Sequence, residues 1–231
     1  MKKRDLIFIT CLIIFFLPFF LSEQVFDFYT SFNKAHGMIM SFIKFAVLAT
    51  IGEVIGLRIS EGVYNKKGFG LIPRAIVWGF LGLTIKFAFV IFSVGAPIFL
   101  QYLGVDGVEQ AMKQSFTLTK LLGAFTISAS LNLAYAPVMM TLHKVMDTHI
   151  LNNNGSLSGF FTPIKFGKIM TTLDWETQWN FIFKKTIPFF WIPAQTITFL
   201  LPEEYQILFA AFLGIILGVI LAFANMKKNK N

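Results

Sequence analysis

Six long apolar runs govern what this chain can fold into: residues 6–21, 38–59, 71–100, 121–142, 181–201 and 207–223. A helix of about 20 apolar residues, rising 1.5 Å per residue, matches the ~30 Å hydrocarbon layer of a bilayer. A water-soluble protein of 231 residues has no use for six such segments, and the mean hydropathy of +0.68 agrees. The expected fold class is all-α: a polytopic transmembrane helical bundle with about six membrane-crossing segments.

Charged residues make up 14% of the chain, against about 25% in soluble domains. A net charge of +8 could point to nucleic acid, but the placement of the charges argues for a membrane instead. With the amino terminus inside, the inner segments hold fifteen basic residues: Lys2, Lys3, Arg4, Arg58, Lys66, Lys67, Arg74, Lys144, Lys165, Lys168, Lys184, Lys185, Lys227, Lys228 and Lys230. The outer segments hold three, Lys34, Lys113 and Lys120, beside Glu23, Asp27, Asp106, Glu109, Glu203 and Glu204. That asymmetry follows the positive-inside rule and predicts both termini in the cytoplasm. The one cysteine, Cys11, excludes an internal disulfide and any all-cysteine metal site. The first run looks like a signal peptide, but Pro18–Ser22 lacks the small residues of a cleavage site, so a retained anchor is expected.

The expected organisation is an N-terminal anchor span with an outer interfacial segment over 1–37, a helical bundle over 38–225 and a basic cytoplasmic tail over 226–231. Residues 23–37 carry an aromatic face, Phe26, Phe28, Tyr29 and Phe32, suited to a membrane surface. Run 71–100 is too long for one upright span, and Pro97 is expected to end or kink it. Residues 106–120 read as a second amphipathic surface helix. Residues 152–156 (Asn-Asn-Asn-Gly-Ser) read as a flexible turn, and Trp175 and Trp179 suit an interfacial belt.

Small residues at four-residue spacing let helices approach closely in lipid. Gly52, Gly56 and Ser60 form one stripe, Ala124, Ser128, Asn132 and Ala136 another, and Ala210, Gly214, Gly218 and Ala222 a third. Gly52, Gly56, Gly214 and Gly218 are the packing candidates, with a pore wall as the alternative reading of the same spacing. Charges inside spans are costly unless paired or wetted. Glu53 lies beside the Gly52/Gly56 stripe, within reach of an ion pair with Lys184 or Lys185. Lys86 lies deep in the third run, on the face of Gly79, Gly82 and Ser93, whereas Lys44 is expected to snorkel. Glu53, Lys86, Asn132 and Gln195 are the pore or gating candidates. His143 and Asp147 share a helix face and His149 does not, so no metal site is expected. No cofactor is called for, and no catalytic constellation appears, so the chain is not read as an enzyme.

The C-terminal segment places Trp191, Pro193, Gln195, Phe199 and Pro202 in the order found before the last span of the Mpv-seventeen/PMP-twenty-two family, which it resembles. Gly52-Glu53 is similar to the family's Gly-Asp, Arg74 with Gly82 to an Arg and Gly of its second span, and Tyr135-Ala136-Pro137 to its Phe-Ala-Pro. The resemblance covers 38–225, leaving the first span as an addition to a four-span core. It implies a small-solute channel of loose selectivity. Membrane composition and resemblance together predict a small-solute channel or facilitator in a bacterial inner membrane; a non-transporting structural or adaptor protein is the alternative. The expected partners are membrane lipid, small solutes and a homo-oligomeric copy of the chain, and no nucleic acid.

Overall fold

The computed structural model describes the backbone of residues 3–228 and the side chains through residue 220. Lys2, Ala222, Asn225 and the side chains of the 226–231 tail lie outside that description. The chain divides into two compact units, residues 1–40 and 41–231. The first contains α1 (Lys3–Phe16), α2 (Pro18–Leu21) and α3 (Glu23–Ala35). Ser22 turns extended and its hydroxyl accepts from the Val25 N–H, which caps α3. On α3 Phe28 stacks on Phe32, and Tyr29 meets Phe19 edge-on at 5.5 Å between centroids.

The second unit takes most of α4 (Gly37–Glu61), followed by α5 (Leu71–Tyr102), α6 (Val108–Met112), α7 (Leu118–Ala134) and α8 (Ala136–Asn152). Then come α9 (Leu157–Phe160), α10 (Phe166–Thr172), α11 (Trp175–Thr177), a π-helix (Gln178–Trp191), α12 (Ile192–Leu200) and α13 (Glu203–Lys228). No strand occurs among the described residues.

Among the described residues, four stretches are long and apolar enough to cross a membrane: Lys3–Leu21, Gly37–Glu61, Leu71–Tyr102 and Glu203–Ile220. A fifth is the bent pair α7 and α8, which meet at 44°. The break falls at Tyr135, where Pro137 enters the first turn of α8 without an N–H to continue the α7 ladder. The sixth expected segment, 181–201, is helical up to Leu200 but divided between the π-helix and α12, and neither piece alone reaches the ~20 residues of a span. Pro188 lies inside the π-helix, whose i→i+5 turn leaves room that an α-helical turn denies a proline ring.

Within this unit the direction of each pass is legible from its ends. Arg74 of α5 reaches Glu53 of α4, while Ser41 of α4 donates to the Gly82 carbonyl at 2.7 Å, so α4 and α5 run antiparallel. Val145 of α8 packs on Ile169 and Leu173, at the end of the bundle where Asp147 meets Arg74. The chain then returns through the π-helix and α12. Phe199 packs on Phe89 at 4.8 Å, and Glu203 pairs with Lys86 at the opposite end. Consequently α13 runs parallel to α4. Gly52 and Gly218 mark their contact: a Cβ on Gly52 would stand 3.0 Å from the Ile215 Cα, and one on Gly218 3.3 Å from the Gly52 carbonyl oxygen.

Four expectations are corrected here. Helix α5 does not end at Pro97 but continues to Tyr102; the proline lies buried in its last turns, where few further ladder bonds are at stake. Residues 106–120 form the short α6, whose Val108 is buried against Gly123, and then an extended Thr117 that caps α7. The turn after Asn152 is packed: Gly155 at φ +65° lies so close to Gly70 at φ +70° that a Cβ on it would come within 2.6 Å of the Gly70 nitrogen. Lys44 is 5% exposed and does not snorkel, because it shares the buried stripe of Ser41, Phe45 and Leu48.

Candidate functional site

A cavity of about 400 Å³ lies inside the second unit, walled by α4, α5, α7, α8, the π-helix, α12 and α13. On α4 its lining runs from Phe45 through Ala49 and Gly52 to Gly56, ~17 Å of helix axis and more than half a bilayer core. The 44° bend at Tyr135 helps to make the room, since Leu131, Asn132, Tyr135, Ala136, Met139 and His143 all face it across the break. Gly52, Gly56, Gly214 and Gly218 line the same space. Gly52 and Gly218 hold α4 and α13 together, while nothing stands within 4 Å of a Cβ built on Gly214. The packing and pore-wall readings of these glycines thus divide along one helix.

One end of the cavity is ionic. Arg74 Nη1 donates to Glu53 and, at 2.8 Å, to Asp147, while its Nε donates to the Phe69 carbonyl at 2.7 Å and its guanidinium lies over the Phe69 ring. Trp78 Nε1 donates to the other Glu53 oxygen at 2.7 Å. His143 packs on the Trp78 ring, its Nε2 at 3.2 Å from Glu53 and 3.7 Å from Asp147. Arg74 with Trp78 on α5, and His143 with Asp147 on α8, are each four residues apart, so each pair projects from one face of its helix. The expected pairing of Glu53 with Lys184 or Lys185 is therefore corrected: both lysines are exposed, and Lys184 lies over the Trp179 ring.

One atom each from Glu53, His143 and Asp147 fall within 4.8 Å of one another, a set able to ligate a divalent cation. Arg74 already pairs with both carboxylates, and a dication there would repel the guanidinium in a poorly screened site. The arrangement is better suited to an ion network that holds or exchanges a proton through His143.

The other end is polar without charge. Asn132 donates to the Ser128 carbonyl at 2.9 Å, and Ser128 in turn donates to the Ile192 carbonyl at 2.7 Å, tying α7 to α12. Tyr135 pairs with Thr84 at 2.7 Å. Trp191 and Gln195 face the cavity; Trp191 Nε1 and Gln195 Oε1 are buried without a hydrogen-bond partner. Of the motif residues, Phe199 is fully buried against Phe89, and Pro193 and Pro202 are exposed at the starts of α12 and α13.

Of the four pore candidates, Glu53, Asn132 and Gln195 meet in this cavity. Lys86 does not: it lies outside the lining, with Glu203 at 3.4 Å. Sequence reasoning did not group Arg74 and Trp78 with Glu53, because Arg74 counted as part of a cytoplasmic connection. Their four-residue spacing was the signal, and it has meaning only once a carboxylate on another helix is known to face it.

Helical content and span lengths define an all-α, multi-pass integral membrane protein. Comparison with protein-family models, with curated proteins and with solved structures gives no match.

Proposed function

We propose that this protein is a channel or facilitator for small solutes, of loose selectivity, in a bacterial inner membrane with both termini in the cytoplasm. The observation that carries the reading is the ~400 Å³ cavity extending along α4 between the ionic cluster and the Trp191–Gln195 end. Its walls are largely apolar, from Phe45, Ile85, Phe89, Leu131 and Met139, with a few convergent polar groups, as small-molecule sites are built. Unbranched methionines adapt to differing shapes, which suits loose selectivity. The resemblance of the Trp191–Pro202 segment to the Mpv-seventeen/PMP-twenty-two family supports the same reading, and the fifteen-to-three charge asymmetry supports the orientation.

The alternative, an adaptor without transport, draws on the pairing of Arg74 with two carboxylates, which locks three helices whether or not a solute passes. Purified protein in liposomes loaded with neutral and charged solutes of graded size separates the two. Release of the small solutes, absent from protein-free vesicles, is expected. No release of any of them, from monodisperse and correctly inserted protein, would leave the adaptor reading in its place.

A further inference from the structure

The connection from α8 to the π-helix does not hang free of the bundle. Ile169 of α10 and Leu173 pack on Val145, which lies seven residues, about 10 Å of helix, before the end of α8. His149 Nε2 stands 3.1 Å from the Phe160 carbonyl oxygen and ties α9 to the same helix. The segment is thus folded back along α8, and its inner face is spent on that contact. Its outer face carries Phe161, Ile164, Phe166, Trp175, Trp179 and Phe181, each between 40% and 72% exposed. Lys165, Lys168, Lys184 and Lys185 are exposed among them, against two acids, Asp174 and Glu176.

Two local contacts set the indoles. Trp175 Nε1 donates to the Met170 carbonyl at 2.9 Å, so that ring needs no water for its N–H. Lys184 Nζ lies 5.6 Å from the centroid of the Trp179 ring, which holds an ammonium beside an indole. An indole at the hydrocarbon boundary, with lysine heads reaching to the phosphates, is the arrangement that a membrane–water interface favours. Large apolar side chains exposed together call for a cover other than water. From Phe181 the chain leads directly into the apolar run 181–201, where Phe189 is 81% exposed, so the aromatic and basic face adjoins a purely apolar one.

We infer that the outer face of residues 161–185 is a docking surface for anionic phospholipid headgroups, its rings at the acyl boundary and its lysines on the phosphates. Charge selects the lipid class. A zwitterionic headgroup carries the same phosphate beside its own ammonium, which cancels the attraction of a lysine; a net-negative lipid such as phosphatidylglycerol keeps it. The inference is independent of whether the protein transports a solute.

The test uses the purified full chain in phosphatidylcholine vesicles holding a fixed minor share of either phosphatidylglycerol or phosphatidylcholine brominated near the top of its acyl chains. Bromine quenches tryptophan on contact, and the difference between the parent and a Trp175→Phe/Trp179→Phe variant isolates these two indoles from Trp78 and Trp191. Brominated phosphatidylglycerol should quench them about two- to fivefold more than brominated phosphatidylcholine, the upper figure being the contribution of one lysine at an anionic surface. Molar salt, with a screening length of about 3 Å, should bring the ratio toward one. Lys165→Gln, Lys168→Gln, Lys184→Gln and Lys185→Gln together should abolish the preference and leave quenching by phosphatidylcholine in place. Where that variant does not insert, the salt titration of the parent decides. Equal quenching by the two lipids in the parent at low salt, a preference that survives molar salt or the lysine substitutions, or no quenching of these indoles by either lipid would overturn the inference; the last result would mean that protein or water covers the face.

Discussion

Replacing Arg74 with methionine deletes a guanidinium that bridges α4 and α8 through α5. Three hydrogen bonds go, two of them to carboxylates, and Glu53 and Asp147 are left facing each other in the bundle. Breaking a buried ion pair by removing one partner costs about 3–5 kcal/mol. The two carboxylates retain 18% and 17% exposure, and His143 stands between them able to take up a proton, so the lower end applies, about 3 kcal/mol. For a chain of this size that corresponds to a fall in melting temperature on the order of 10 °C. The assay is thermal unfolding in detergent, followed by tryptophan fluorescence and by monodispersity on gel filtration. Neutralising the stranded charges as well, with Glu53→Gln and Asp147→Asn beside Arg74→Met, should recover most of the loss, since an uncharged cluster has no ion to desolvate. A melt for Arg74→Met within about 2 °C of the parent would refute the reasoning, because the guanidinium would then contribute nothing beyond its volume. A triple variant as unstable as the single one would show that packing, and not charge, is what Arg74 supplies.

Gly218→Leu should destabilise the bundle by separating α13 from α4, whereas Gly214→Leu, with open space at its Cβ, should melt like the parent yet reduce solute release by filling the cavity; equal effects of the two in both assays would contradict this division. Lys86→Met should leave flux and its ion preference unchanged, because Lys86 stands with Glu203, which is 81% exposed, and not on the cavity wall; a changed preference in liposomes would show otherwise. Asp174, in the connection before α11, accepts from the Thr177 hydroxyl and N–H, and these bonds hold its carboxyl below the ordinary aspartate value. The capping contribution is therefore complete above that ordinary value, ~4, and is lost as pH falls through the lower folded value. Hydrogen exchange at the Thr177 amide should show protection fading in acid, and Asp174→Asn should make it independent of pH; unvarying protection in the parent would refute the assignment.

Span length and polarity were written plainly in the chain, since hydropathy depends on composition alone. Glu53, Asn132 and Gln195 were singled out because a polar group in an apolar run needs a reason, and all three line the cavity. Their partners were harder to find. Arg74 lies near the polar end of its run and looked like a cytoplasmic charge, although its guanidinium turns inward to two other helices. Closeness to a helix end suggests that Lys44 snorkels, while the stripe of Ser41, Phe45 and Leu48 on which it falls places it inside. The π-helix has no signature, because apolar periodicity does not register the spacing of the backbone ladder. Pro97 does not end α5 because it falls in the helix's last turns, where the rule about helix interiors has least force.

The contact of Gly70 with Gly155 has a mechanical meaning. It ties the start of α5 to the turn that follows α8, at backbone distance and with no side chain to yield. Helix α8 is thus moored at its far end, and its near end is the bend at Tyr135. A rod pinned at one end and jointed at the other transmits motion only through the joint. At that joint the Tyr135 hydroxyl pairs with Thr84 of α5, so α5 holds α8 at both of its ends.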